Sequence, residues 1–389
     1  MSDGPHGLRK QEETADMLGI NRSVPATCFP TAVSTACSFD EELLTDIGRA
    51  IGEEAAAHGV GLLLGPGANI KRNPLCGRNF EYFSEDPHLT GKLAAGFIRG
   101  VESTGVGACL KHFAMNNQEY KRFSSDSIAD ERTMREIYLS GFETAVKEGK
   151  PSAVMCAYNK IGGVHCSDNK ELLTDILRTE WGFDGAVVTD WGAMSDRCAA
   201  FRAGCDLCMP GGSAYGEAEA FAAVKDGTLD ESVIDESATR IEKLARRGQK
   251  ATANATPADR EAHYALAKQA ATESAVLLKN DQQALPFAAG VKNIALFGCA
   301  SYDFIPGGTG SGDVNTPYTV SMLQGLQNAG YAIDADEMPV TFGTSGDDKP
   351  LAGIVNDLHI RCDKFCGSGF RAHIHELAVL DDERFDDGL

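Results

Sequence analysis

Short apolar runs alternate with segments of helical periodicity through residue 242, and this alternation limits the possible folds more than any other feature of the chain. The strand-like runs are residues 28–36, 60–66, 107–113, 152–159, 185–191 and 206–210. Between them, apolar residues recur at helical spacing. Such alternation predicts a parallel sheet covered by helices, and six strands in one run favour an α/β fold of the TIM type, a (β/α)8-like barrel. A doubly wound open sheet is the alternative.

The pattern changes twice further along the chain and predicts four segments. We expect the barrel over residues 1–242, a polar linker over 243–259, the beginning of an α/β sandwich domain over 260–340, and an unassigned tail over 341–389. In the second domain we expect a helix from Asp259, strands at 276–279 and 293–297, and a helix at 319–329. The glycine-rich residues 307–312 lack the spacing of a phosphate-binding loop, so we expect them to pack over the barrel mouth.

Composition excludes several classes of function. The net charge of −20 counts against a nucleic-acid partner, because phosphate binding needs clustered Lys and Arg. No apolar stretch approaches membrane-spanning length, and the first residues lack the pattern of a signal peptide. Several cysteines lie inside apolar runs, which is typical of reduced thiols, so we expect a cytoplasmic protein. The Cys and His residues of the tail match no standard zinc site, and no metal or cofactor is predicted.

Polar residues follow most of the predicted strands and are candidates for a ligand site, which in parallel barrels lies at the carboxyl ends of the strands. They are Asn69 with Arg72 and Arg78, Lys111 with His112, Tyr158 with Asn159, and Asp190 with Trp191. Hydrogen-bonding groups beside an indole suit a polyhydroxylated ligand. Asp190 is either a nucleophile for an anomeric carbon or a helix N-cap. Lys111 and His112 either face the ligand, or Lys111 is a buried lysine paired to a carboxylate and His112 is a core histidine.

Six stretches of the chain, in order, resemble the β-glucosidase type of family 3 glycoside hydrolases. They are D-G-P-H-G-L-R from Asp3, G-R-N-F-E-Y-F-S-E-D-P from Gly77, L-K-H-F-A-M-N-N-Q-E from Leu110, M-C-A-Y-N from Met155, V-T-D-W-G-A from Val188 and G-G-T-G-S-G-D-V from Gly307. The resemblance covers residues 1 to about 338 and implies a retaining β-glycosidase that needs no cofactor and acts on a small carbohydrate.

The resemblance also implies roles for individual residues. Asp190 would be the catalytic nucleophile. The residues expected to hold the glycosyl unit are Asp3, Arg78, Lys111, His112, Arg122, Tyr158 and Trp191.

In such relatives the general acid/base is a Glu of the second domain, and the family pattern stops near Pro339 before that residue. Glu85 and Glu119 are weaker substitutes, and Glu376 and Glu383 lie in no recognisable context. We therefore expect a member truncated at both ends, with most of its first strand missing. The alternative function is a catalytically impaired, sugar-binding remnant.

Overall fold

A computed structural model describes residues 1–12, 22–211, 214–296, 301 and 304–333 of the 389-residue chain. Two compact units are present. The first consists of Met1–Asp281 together with Ile305–Thr319, so its sequence is interrupted. Of the second, residues 282–296, 301, 304 and 320–333 are described.

The strands are short and are separated by helices. In chain order they are β1 (Ser2–Asp3), β2 (Leu62–Leu64), β3 (Gly107–Phe113), β4 (Asp126–Ser127), β5 (Ala153–Cys156), β6 (Lys160–Ile161), β7 (Val164–His165), β8 (Ala186–Thr189), β9 (Asn293–Ile294) and β10 (Ala332–Ile333). The α-helices are α1 (Ala32–Thr35), α2 (Glu41–Ala57), α3 (Pro87–Ser103), α4 (Glu131–Thr133), α5 (Ser140–Thr144), α6 (Arg197–Ala203), α7 (Ala214–Asp226), α8 (Glu231–Ala253), α9 (Arg260–Glu273) and α10 (Met322–Asn328). Wider π-type turns complete the helical stretches at Met134–Leu139, Ala145–Gly149 and Glu171–Glu180.

The main sheet has five parallel strands in the order β1-β2-β3-β5-β8. Each neighbour lies further along the chain, so the order never reverses as it does in a doubly wound sheet. This order excludes the doubly wound alternative. A single bridge from Val188 to Leu207 extends the sheet beyond β8. The small sheet β4-β6-β7 lies apart from it.

Both faces of the main sheet are buried, because alternate residues of each strand point to opposite sides. Leu63 and Val187 belong to the large core cluster formed with helices α2 and α3. Leu64 and Val188 belong to a smaller cluster on the other side, where Leu244 of α8 packs. Helix α8 therefore contributes to the core on this second side, and it also contacts Gly61 and Gly105, which precede β2 and β3.

Helix α2 buries apolar residues that recur at helical spacing, namely Leu43, Leu44, Ile47, Ile51 and Ala55. Its amino-terminal cap is Asp40, whose carboxylate accepts hydrogen bonds from the backbone N–H groups of Glu42 and Leu43. These bonds satisfy two amides that have no partner within the helix.

Three predicted strands are wrong. Residues 28–36 form no strand, because Pro30 provides no N–H for a ladder and the chain turns into α1. Residues 206–210 make only the bridge at Leu207, since the Asp206 side chain accepts the N–H of Val187 and Pro210 has no donor. Residues 276–279 pair with no described strand.

The predicted linker is wrong in its first part. Residues 243–253 are the end of α8, where Leu244 packs on the sheet and Gly248 lies against Gly61. Only residues 254–259 connect α8 to α9. Helix α9 belongs to the first unit rather than to the second domain, because its His263 bonds to Glu53 and Glu54 of α2.

The described part of the second unit contains the parallel pair β9-β10 and helix α10, which is shorter than the predicted 319–329 and is capped by Ser321. The tail from residue 341, including Glu376 and Glu383, lies outside the described residues. Among the described residues, no helix is long and apolar enough to cross a membrane and no acidic, His or Cys cluster could hold a metal ion.

Candidate active site

Four strand ends bring predicted site residues to one edge of the sheet. Lys111 and His112 directly precede Phe113, the last residue of β3, while Asp3 ends β1 and Asp190 directly follows β8. Tyr158 follows β5. Because parallel strands place their carboxyl ends at the same edge, residues far apart in sequence meet there.

Asp190 is buried, and its two oxygens have different surroundings. Oδ1 accepts a hydrogen bond of 2.7 Å from the backbone N–H of Trp191, which fixes the carboxylate orientation. Oδ2 lies 3.6 Å from Arg78 Nη1 and 3.4 Å from His112 Nε2. It has no hydrogen-bond partner among the described residues. The helix-cap alternative is wrong, since the next helix, α6, is capped by Asp196.

A fully buried carboxylate, Glu81, lies between the two cations of the site. Its Oε1 accepts from Arg78 Nε at 2.5 Å, and its Oε2 lies 3.4 Å from Lys111 Nζ. Burial by itself raises the pKa of Glu81, but Arg78 and Lys111 outweigh it and lower that pKa to about 2. Lys111 is thus both a buried structural partner and a residue at the strand end.

His112 is held rigidly by its neighbours. Its backbone N–H donates to Asn69 Oδ1 and its carbonyl accepts from Asn69 Nδ2, both at 2.8 Å. Its Nδ1 lies 3.0 Å from the Tyr82 hydroxyl. Burial, with the positive charges of Arg78 and Lys111, lowers the pKa of His112 well below its ordinary value. The imidazole is therefore neutral.

Two aromatic residues, Tyr158 and Trp191, lie close to Asp190. The Tyr158 hydroxyl donates to the backbone carbonyl of Trp191 at 3.1 Å. Burial raises the pKa of Tyr158, and the negative charge of Asp190 raises it further. The Arg122 guanidinium lies 4.3 Å from the centre of the Tyr158 ring, and Glu119 holds it by an ion pair of 2.6 Å. The indole Nε1 of Trp191 has no partner among the described residues.

Asp3 is at the same edge of the sheet, paired in register with Leu64 of β2. Its carboxylate makes an ion pair of 3.2 Å with Arg9, so no described contact joins it directly to Asp190.

The glycine-rich loop packs at this edge too, as the sequence predicts. A Cβ on Gly308 or Gly312 would collide with the Phe80 ring, and one on Gly307 or Gly312 with the His6 ring.

Sequence reasoning missed Glu81, Tyr82 and Ser311. Glu81 lies among Phe80, Tyr82 and Phe83, and a charge inside an aromatic run signals a buried ion that needs partners. Of the weaker acid/base candidates, Glu85 is exposed and Glu119 is bonded to Arg122 and Asn116.

The chain matches two family models. Residues 14–244 match the glycosyl hydrolase family 3 N terminal domain, and residues 275–373 match the corresponding C-terminal domain. The second match includes residues 341–373, so the tail that the sequence pattern leaves unassigned is in large part family sequence.

Known proteins resemble the chain over most of its length. It is 55% identical to thermostable beta-glucosidase B of Acetivibrio thermocellus over 74% of this chain and 38% of that protein. It is 47% identical to exo-alpha-(1->6)-L-arabinopyranosidase of Bifidobacterium longum, over 75% of this chain and 38% of that protein. Beta-glucosidase 3B of Thermotoga neapolitana, solved in complex with alpha-D-glucose, superimposes with a TM-score of 0.80 at 44% identity, covering 86% of this chain and 47% of that one. The predicted TIM-barrel-like fold, followed by the beginning of a second domain, is confirmed. The chain spans about 38% of the length of these curated relatives.

Proposed function

Because the chain belongs to glycosyl hydrolase family 3, we propose that it acts on β-glucosides and related β-glycosides by a retaining mechanism with Asp190 as nucleophile. The observation that carries the proposal is the position of Asp190. One carboxylate oxygen is fixed by a backbone amide, and the other faces Arg78 and the neutral His112. A nucleophile for an anomeric carbon needs such a fixed carboxylate.

In the proposed first step, an Asp190 oxygen attacks the anomeric carbon of a β-glucoside. The C–O bond to the leaving group breaks with its electron pair on the departing oxygen, and an α-linked glycosyl ester forms. Water then cleaves this ester and restores the carboxylate. Arg78 and Lys111 supply donors for the sugar hydroxyls, while Trp191 offers an indole face to the ring.

Departure of a poor leaving group requires a proton from a second carboxyl group. Glu81 is unsuited to that role, because its lowered pKa keeps it ionised between two cations. Glu119 is bonded to Arg122 and Asn116. Because both carboxylates are already held by other residues, a second candidate function is sugar binding with little turnover of natural glycosides.

An aryl β-glucoside with a highly activated leaving group tests the proposal, because such a group departs without acid assistance. We expect the chain to release the aryl group and Asp190→Ala to release none above background. Asp235→Ala, an exposed Asp on α8, is the matched control and should behave like the parent chain. Equal release by Asp190→Ala and the parent would refute the nucleophile. Calorimetric binding of glucose without release would favour the second candidate.

The sugar preference is also part of the proposal. One relative carries the name of an arabinopyranosidase, so aryl α-L-arabinopyranoside belongs in the substrate panel beside the glucoside. We expect the glucoside to be cleaved faster, in line with the beta-glucosidase at 55% identity. A higher kcat/KM for the arabinopyranoside would contradict this preference.

A cytoplasmic location stays a prediction. It is supported by the cysteines of the described residues, which are all free thiols. That state is typical of a reducing compartment.

A further inference from the structure

We infer that Glu81 is a positioning residue, which keeps Arg78 and Lys111 directed at the sugar and prevents Arg78 from capturing the nucleophile Asp190. The inference rests on the proposed function, since it concerns the same site. Glu81 makes no described contact with Asp190 and acts through the two cations.

The charges of the site support this role. Arg78, Lys111, Glu81 and Asp190 form a buried set of two cations and two carboxylates, and His112 adds no charge because its pKa is lowered. Each buried ion is expensive without a partner. Glu81 supplies one partner to each cation, so Asp190 need not supply both.

The distances support it as well. Arg78 lies 2.5 Å from Glu81 but 3.6 Å from Asp190, so its closer bond is to the positioning carboxylate. Oδ2 of Asp190 consequently keeps a free lone pair, as attack on carbon requires. Among the described residues, Arg78 makes ion pairs with Glu81 and Asp190, so after loss of the Glu81 charge it would move to Asp190 and occupy that oxygen.

The glycine-rich loop holds Glu81 from its other side. Ser311 Oγ donates to Glu81 Oε2 at 3.3 Å, across 230 positions of sequence. Loop residues Gly308 and Gly312 pack against Phe80, the immediate neighbour of Glu81. The loop therefore contributes to the order of the two cations through its contacts with Glu81 and Phe80.

The test is covalent labelling of the full chain with an activated 2-deoxy-2-fluoro-β-glucoside, followed by mass spectrometry of the Asp190 peptide. The fluorine slows hydrolysis of the ester, so the label accumulates, and the activated leaving group departs without an acid catalyst. For Glu81→Gln, which keeps shape but removes charge, we expect a rate of labelling about 10²-fold lower. Saturation kinetics should divide this loss between a weaker binding constant and a slower labelling step, whereas a purely structural role would change only the fraction of folded protein.

Three further variants complete the test. Glu261→Gln, exposed on α9, should label like the parent. Ser311→Ala should fold, and its rate of labelling should be about threefold lower than that of the parent, as expected for the loss of one weak hydrogen bond. In a Lys111→Met background, Glu81→Gln should reduce the rate of labelling much less than it does in the parent chain. The effects of the two substitutions are not additive, because Glu81 acts partly through Lys111.

The outcomes separate the two ideas. No labelling of the parent chain would overturn the proposed function and with it this inference. If the parent is labelled and Glu81→Gln is labelled equally fast, the role of Glu81 is overturned but the proposed function is not. The same holds if the parent is labelled and the losses of labelling rate caused by Glu81→Gln and Lys111→Met are fully additive. If Glu81→Gln does not fold, the Ser311→Ala result decides, and an unchanged labelling rate there refutes the inference.

Discussion

Asn69 shows how the site depends on side chains that need not touch a ligand. Its amide bonds to both the N–H and the carbonyl of His112, and only 1% of Asn69 is exposed. A two-point bond of this kind fixes the backbone at the end of β3, and the direction of the Lys111 and His112 side chains follows from it. The active-site geometry is therefore coupled to the stability of this turn.

We predict that Asn69→Ala lowers the free energy of unfolding by about 2–4 kcal/mol, because it leaves a buried donor and a buried acceptor without partners. Urea unfolding followed by circular dichroism measures the loss. Asn328→Ala, which removes an exposed amide on α10, should change stability by less than about 0.5 kcal/mol. Similar losses in the two variants would show that the bonds to His112 contribute nothing.

The contact between α9 and α2 is an interaction between elements with a defined dependence on pH. His263 of α9 lies 2.8 Å from Glu54 and 3.2 Å from Glu53, and Glu54 also accepts from Thr27. Burial by itself lowers the pKa of His263, but the two carboxylates outweigh it and raise that pKa above 6.5. Although burial opposes it, bonding to His263 and Thr27 lowers the pKa of Glu54 below 4.5.

The stabilisation by His263 is thus complete below pH 6.5 and is lost as the pH rises through the raised pKa. The contribution of Glu54 is present above pH 4.5 and is lost at lower pH, so the contact is strongest between these values. We predict that His263→Gln destabilises the chain by about 1–3 kcal/mol in this window and by less above about pH 9. Denaturant titrations at both pH values measure this, with the exposed His88→Gln as control. A loss independent of pH would contradict the ionic contact.

The glycine-rich loop is a second element whose packing can be tested. A Cβ on Gly312 would lie 2.6 Å from the Phe80 ring and 2.8 Å from that of His6. We predict that Gly312→Ala lowers the free energy of unfolding by about 1–3 kcal/mol, because the His6 ring is buried, the Phe80 ring is partly buried, and one of them must shift. Thermal unfolding would detect it. Gly290→Ala, whose added carbon meets no atom within 4 Å, should leave the midpoint almost unchanged and serves as the control.

At the scale of the whole molecule, thiol accessibility reports how far the core extends. Cys109, Cys156, Cys166 and Cys205 have no exposed surface, whereas Cys37 is exposed. Burial raises the pKa of Cys109 and of Cys166 to about 12. Thiolate is the reactive form, so both burial and pKa protect these positions.

We therefore predict that alkylation of the native chain near pH 8 modifies Cys37 and spares those four residues until denaturant is added. Peptide mass mapping after a timed pulse of iodoacetamide identifies the modified positions. Modification of Cys109 in the native chain at the rate of Cys37 would show that the sheet opens far more readily than its burial implies.

The sequence predicts most strands of the main sheet, but it predicts less well the helix α8 and the buried Glu81 that pack around the sheet. Strand ends such as Lys111, Tyr158 and Asp190 follow apolar runs that periodicity detects. The continuation of α8 through residue 253 escaped notice because Gly248 weakens a helical pattern locally, while its close approach to Gly61 is a tertiary effect. Glu81 was missed because its partners are Arg78 nearby and Lys111 on a distant strand, a pairing that no local spacing reveals.

The interrupted first unit has a consequence for how the chain is made. Ser311 bonds to Glu81, and Asn315 bonds to Ser23. Residues 282–304, which belong to the second unit, precede both Ser311 and Asn315 in the chain. In a chain emerging from the ribosome, Glu81 therefore lacks its contact with Ser311 until the segment 305–319 has left the ribosome. Contacts of such long sequence separation form late, since their closure entropy must be met first. Residues near both ends of the first unit must therefore meet before the charged set around Glu81 is complete. A chain released before that point would have the main sheet but an incomplete site.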